Sequence, residues 1–123
     1  MKFSYCKDKD SKSWVSQRYG VHISRKPGPN QVLFIVYVTV ADKKDGEYTP
    51  ITPRFEVQEK TADDSVYTAG AIAEAIVREM HKLPEDCKLS KVKKTLKAIS
   101  ALLVKSGKAG GSSGRTKPQI ILP

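Results

Sequence analysis

The sequence predicts an α+β fold: an antiparallel sheet of three to four strands, followed by two helices packed on one face and a flexible basic C-terminal tail. Three observations predict it. Much of residues 14–60 alternates apolar and polar side chains, as strands do. Residues 61–106 change to the three-to-four spacing of amphipathic helices. Turn-forming Pro, Gly, Asn and Asp cluster at residues 26–30 and 42–46, between the strand-like segments.

The first half of the chain is expected to form the sheet. Strands are predicted, in chain order, at residues 2–6, 14–25, 31–41 and 54–60. Residues 31–41 are apolar on both faces and rich in β-branched side chains, which is typical of a central strand. Residues 47–52 are assigned at most to a sheet edge, because Pro50 and Pro53 cannot donate a hydrogen bond to a neighbouring strand.

Two helices are predicted after the sheet. The first begins at Thr61, whose hydroxyl can cap it. Its apolar stripe consists of Ala69, Ile72, Ala73, Ile76, Val77 and Met80. The second spans about residues 90–106, with Ser90 as its cap and Gly107 as its end. Its narrower stripe consists of Val92, Leu96, Ile99 and Leu103. Both stripes are expected to face the sheet and complete one core.

The chain divides into one α+β domain, residues 1–106, and a tail, residues 107–123. The tail begins as a basic linker rich in Gly and Ser and ends in a short apolar run, Ile120 to Leu122. That run can fold back on its own sheet or add a strand to another protein. Two copies of the chain could also exchange their tails, which would produce a homodimer.

The composition places the protein inside the cell. No apolar run reaches the roughly 18 residues of a membrane span, and the first ten residues lack the apolar core of a secretory signal. We therefore expect a cytoplasmic protein without membrane contact. Cys6 and Cys87 are expected to be free thiols. Their spacing matches no zinc site, so neither a metal nor another cofactor is predicted.

The positive charge is concentrated at one end of the chain. The formal net charge is +9, and residues 88–123 carry nine Lys and Arg side chains with no Asp or Glu. The first 60 residues carry 11 basic and 7 acidic side chains, and residues 61–86 carry 2 basic and 6 acidic, so those segments cancel. A surplus segregated in this way indicates a negatively charged partner, or else a solvated helix face that offsets the chain's own acidic residues Glu74, Glu79, Glu85 and Asp86.

We interpret that partner as the phosphate backbone of DNA or RNA. The predicted contacts are Lys91, Lys93, Lys94, Lys97, Lys105, Lys108 and Arg115. Eight of the nine C-terminal cations are Lys, a point charge that positions nucleic acid without reading its sequence. Secondary contacts are predicted on the outer sheet face, where the strand pattern places Trp14, Arg18 and Arg54 together with His22.

The alternative is a non-enzymatic adaptor or inhibitor that docks on an acidic partner protein. It fits the same charge, and the apolar central strand and tail would provide contact surfaces. Enzymatic activity is not predicted. His22 and His81 are the only histidines, and no nucleophile, base and orienting group can be placed together from the sequence.

Overall fold

The structure, a computed structural model, describes residues 1–27, 32–41, 46–58, 62–109 and 119–121. It confirms the α+β layout, with an antiparallel sheet followed by two helices. The sheet has six strands instead of the three to four that were predicted. No helix in the described ranges is long and apolar enough to cross a membrane.

The sheet is an antiparallel meander in which the spatial order of the strands equals their order in the chain. Its strands are β1 (Ser4–Lys7), β2 (Ser11–Val15), β3 (Tyr19–Pro27), β4 (Val32–Ala41), β5 (Tyr48–Val57) and β6 (Gln119–Ile121). As predicted, β4 is central and pairs with β3 and β5 on its two sides. The C-terminal strand β6 folds back onto its own chain and pairs with β5, opposite residues Arg54 to Glu56.

A turn divides the segment that was predicted as one strand, residues 14–25. The Ser16 amide donates to Tyr19 O at 2.8 Å, and the Ser16 hydroxyl contacts the Tyr19 amide and carbonyl at 3.1 and 3.0 Å. Ser16 is buried, so its hydroxyl satisfies backbone groups that water cannot reach. The chain therefore reverses between β2 and β3, which accounts for one of the additional strands.

Strand β5 also differs from the prediction, because it runs without a break through Pro50 and Pro53. Its register shifts on the way: Val36 lies opposite Phe55, but Val38 lies opposite Ile51. The extra β5 residues form an irregularity opposite β4. A proline has no amide hydrogen for the ladder, and such a bulge accommodates Pro53 inside a paired strand.

The helices are α1 (Ala62–His81) and α2 (Leu89–Ala109). The predicted cap Ser90 is wrong: Lys88 O accepts hydrogen bonds from the Lys91 and Val92 amides at 3.0 and 3.3 Å, so Lys88 is the N-cap. The predicted stop at Gly107 is also wrong, since α2 continues to Ala109. The other predicted cap, Thr61, and linker residues 110–118 lie outside the described residues.

One core joins the sheet and both helices. Helix α1 packs mainly across β3 and β4, and α2 packs along β5 and against α1. The sheet and both helices each contribute to the largest fully buried side chains, which include Tyr19, Phe55, Ile76, Met80 and Leu96. Both predicted helix stripes are buried in this core wherever the structure describes their burial, except that Val77 is half-buried at its margin.

The N-terminus is held against the end of α1. The Met1 ammonium donates to His81 O at 2.9 Å and also to Leu83 O. His81 Nδ1 in turn lies 2.8 Å from Met1 O. Since the last carbonyls of a helix have no partner within the helix, these contacts satisfy them and fix the start of β1.

Candidate nucleic-acid interface

The outer face of α2 carries the lysines that the sequence analysis singled out. Lys91, Lys93, Lys94 and Lys97 are all exposed. The reason is the helical period: Val92, Leu96 and Ile99 are buried against β5 and α1, and the lysines occupy the remaining positions around the same turns. We call these four residues the α2 lysine face.

These lysines are not neutralised by neighbouring carboxylates. The ion pairs recorded among the described residues join Arg25 to Asp10 at 3.7 Å, Arg54 to Glu56 at 3.7 Å and Lys82 to Glu79 at 3.3 Å. None of them includes a member of the α2 lysine face. Glu79 is paired with Lys82 at the end of α1. Within the described part of the chain, the α2 lysine face therefore takes part in no recorded ion pair.

The start of α2 extends this positive surface. The first turn contains no acidic residue, and the amide groups at a helix N-terminus carry partial positive charge. Beside it is an open pocket of about 370 Å³. It is lined by three lysines, Lys88, Lys91 and Lys94, together with Pro84, Asp86, Cys87 and Ser90. Asp86 is the single acidic side chain in this lining.

The remaining predicted C-terminal contacts are placed only in part. The backbone of Lys105 and Lys108 belongs to α2, so both extend the same helix beyond Lys97. Lys108 was predicted in the linker, and the longer helix corrects that position. Arg115 lies outside the described residues.

Trp14 and Arg18 are not on the outer sheet face, which contradicts the prediction. Trp14 lies opposite Val21 and packs against the core, on the side that the helices cover. Arg18 lies in the β2–β3 turn, where Nη1 donates to Cys87 O at 3.4 Å and the guanidinium lies 5.5 Å from the Tyr19 ring centre. The turn at Ser16 changes the alternation, so even-numbered side chains point inward in β2 and outward in β3.

Arg54 and His22 do lie on the outer face, but not with the α2 lysine face. Arg54 is paired with Glu56, which lies opposite Ile35 of β4 on the face away from the helices. Helix α2 covers β5 from the other side. The ten predicted contacts therefore do not form one surface, and only the α2 group forms a continuous cationic patch.

The outer face contains a hydrogen-bonded cluster that was not predicted from the sequence. His22 Nδ1 lies 2.8 Å from Ser13 Oγ, and His22 Nε2 lies 2.8 Å from Thr39 Oγ1. The Tyr37 ring stacks on the imidazole with a centroid separation of 5.0 Å. The His22 imidazole also covers Gly20, where an added Cβ would lie 2.5 Å from His22 Nε2. A strand pattern alone cannot reveal this cluster, because its members come from β2, β3 and β4.

The cluster favours an uncharged imidazole. Burial lowers the pKa of His22 below its ordinary value. In the neutral ring one nitrogen donates and the other accepts, which matches two hydroxyl partners. Both ring nitrogens of His22 contact hydroxyl oxygens, whereas the histidine of a hydrolytic triad has a carboxylate at one of them. We interpret the cluster as a structural element of the outer face.

This lowered pKa predicts a pH dependence of stability. The unfolded chain takes up a proton on His22 near pH 6.5, whereas the folded chain resists it, so the free energy of unfolding should fall as pH drops below about 6.5. The slope cannot exceed about 1.4 kcal/mol per pH unit for one proton. Urea denaturation at several pH values between 5 and 8 measures it. The His22→Gln variant has no group that titrates at this position, so the decrease in the free energy of unfolding that His22 causes at low pH should be missing. Parallel pH profiles for the two proteins would contradict the prediction.

Comparisons with protein-family models, with curated proteins and with solved structures find no match for this chain.

Proposed function

We propose that this protein binds nucleic acid through phosphate contacts made by the α2 lysine face. The observation that carries the proposal concerns the side-chain amines of Lys91, Lys93, Lys94 and Lys97. All four residues are exposed, and within the described residues no ion pair or hydrogen bond is recorded for their Nζ atoms. Exposed lysines without internal partners are available to an external polyanion. Lysine contacts of this kind fix nucleic acid in place without reading its bases.

The dimensions of α2 fit a phosphate backbone. At about 1.5 Å per residue, the helix rises about 9 Å from Lys91 to Lys97 and about 21 Å from Lys91 to Lys105. One strand of a duplex places a phosphate about every 3.4 Å along the helix axis. The face is therefore long enough to neutralise several phosphates at once. The positive end of α2 and the lysine-lined pocket beside it continue the same attraction.

Salt dependence of binding is the direct test. Four phosphate contacts on duplex DNA should give a slope of about −3.6 for log K against log salt concentration, which is a loss of roughly 100-fold between 50 and 200 mM salt. Fluorescence anisotropy of a labelled duplex and a labelled single strand measures it. No binding at low salt, or binding that added salt leaves unchanged, would reject the proposal.

The rival proposal, docking on an acidic protein, uses the same lysines and predicts the same loss at high salt. Capture of partners from lysate, with and without nuclease, separates the two. Loss of the captured material after nuclease supports nucleic acid, whereas an acidic protein that stays bound supports the rival.

Either ligand fits an intracellular, cytoplasmic location, and the free thiols of Cys6 and Cys87 fit it as well.

A further inference from the structure

The β1–β2 hairpin carries a pair of aromatic rings that the fold leaves accessible. Tyr5 lies opposite Trp14, and their ring centres are 5.1 Å apart with a 46° angle between the planes. Trp14 rests against the core, but Tyr5 is 52% exposed. A large aromatic side chain with half of its surface in water, in contact with a second ring, can stack on a further planar group.

Two lysines lie beside these rings on the same face of the hairpin. Lys7 pairs directly with Lys12, and Lys12 in turn lies opposite the core residue Ile23, which places both lysines on the helix side of the sheet. Each lysine is two residues, about 7 Å, from the nearer ring along its strand. Like charges directly opposite each other destabilise a strand pair, unless an anion lies between them.

The hairpin that presents these side chains is held in place. Met1 is anchored to the end of α1, and the Lys2 amide donates to Glu85 Oε1 at 2.5 Å. At the opposite end of the hairpin, the Arg25 amide donates to Asp10 O at 2.9 Å, and Arg25 also pairs with the Asp10 carboxylate. The backbone that carries the rings and lysines is therefore attached to the core at both ends of the hairpin.

We infer that Tyr5, Trp14, Lys7 and Lys12 form a stacking platform for an unpaired base of single-stranded nucleic acid. The exposed Tyr5 ring would take the base, and the two lysines would hold the adjacent phosphates. Single-strand binders combine these two elements, and duplexes keep their bases stacked inside, out of reach of such rings. The inference rests on the proposed function but involves a separate surface, since α2 packs along β5 whereas this platform lies at the β1 edge.

Trp14 is the one tryptophan of the chain, so all tryptophan emission comes from a member of the platform. The probes are a thymidine oligonucleotide of about twelve nucleotides, a strand of the same length and charge without bases, and a duplex of that length. We expect the oligonucleotide to quench Trp14 emission, and the other two to bind without comparable quenching. Anisotropy of labelled probes, recorded in parallel, shows that each has bound.

A substitution at Tyr5 completes the test. Tyr5→Ala should weaken binding of the thymidine strand about five-fold or more while leaving the strand without bases within about two-fold. Tyr5→Phe should retain the wild-type preference because it keeps the ring. Circular dichroism tests whether the variants fold. We expect that they do, because Tyr5 is exposed on an edge strand. Equal losses for the two strands in Tyr5→Ala would overturn the platform.

The outcomes distinguish the platform from the α2 proposal. A rise in anisotropy with the thymidine strand, but without any change in Trp14 emission, overturns the platform and leaves phosphate binding by α2 intact. Quenching at saturating oligonucleotide that persists when Lys93, Lys94 and Lys97 are all replaced by glutamine supports a platform separate from α2. An unchanged affinity of that variant for the duplex would count against α2. If none of the three probes binds at low salt, both proposals are wrong.

Discussion

Replacing Lys93, Lys94 and Lys97 together with glutamine is expected to lower the affinity for duplex DNA roughly 100-fold at 0.15 M salt. Each lysine that neutralises a phosphate contributes about 0.9 to the slope of log K against log salt, so the triple variant should reduce that slope by about 2.7. The three side chains are exposed and have no recorded partner among the described residues, so their removal should leave the stability of the fold nearly unchanged.

The matched control removes the same charge elsewhere. Lys2, Lys9 and Lys26 are exposed and lie outside α2, and their replacement by glutamine gives an equal change in net charge. The control variant should lose much less affinity than the α2 variant, because long-range attraction is screened within about 10 Å at 0.1 M salt. Equal losses in the two variants would mean that total charge drives binding. The α2 lysine face would then have no particular role.

Leu96→Ala is expected to have the largest effect on stability, lowering the free energy of unfolding by about 2–5 kcal/mol. Leu96 is fully buried where α2 packs against the rest of the core. Truncation removes apolar contact and leaves a cavity that the sheet, a rigid partner, cannot fill by collapsing. Leu96 and the lysines share one helix. Nucleic-acid binding by the variant should therefore also weaken at temperatures or urea concentrations at which α2 begins to unfold.

A second leucine on the same helix provides the control for this prediction. Leu102 is 63% exposed, and Leu102→Ala should change the free energy of unfolding by less than about 0.5 kcal/mol. Urea denaturation followed by circular dichroism gives both values. Trp14 emission, recorded in the same samples, follows the far edge of the sheet. Similar stabilities for the two variants would show that α2 does not belong to the common core.

The parts of the fold that depend on local periodicity were predictable. Val92, Leu96 and Ile99 are buried as their spacing indicated, and β4 is central as its two apolar faces indicated. The exposure of Lys93, Lys94 and Lys97 follows from the same periodicity, because a helix that buries one stripe must turn the opposite positions to water. For this reason the α2 part of the candidate site could be read from the sequence.

The rest of the candidate site could not be predicted, because it depends on how neighbouring strands pair. Trp14 and His22 have the same parity, so an unbroken strand would place them on one face. The turn at Ser16 separates them to opposite faces. The pairing of β1 with β2 then brings Trp14 beside Tyr5 and the lysines of the hairpin.

The sequence by itself determined the α+β class and the concentration of positive charge in the last third of the chain. Charge is a sum over side chains, and helical periodicity is a property of consecutive residues, so neither depends on distant contacts. The tertiary structure alone decided the six-stranded register, the bulge near Pro53 and the face on which each aromatic ring lies. A shift of one residue in a turn transfers every following strand side chain to the other face, and no local pattern records that shift.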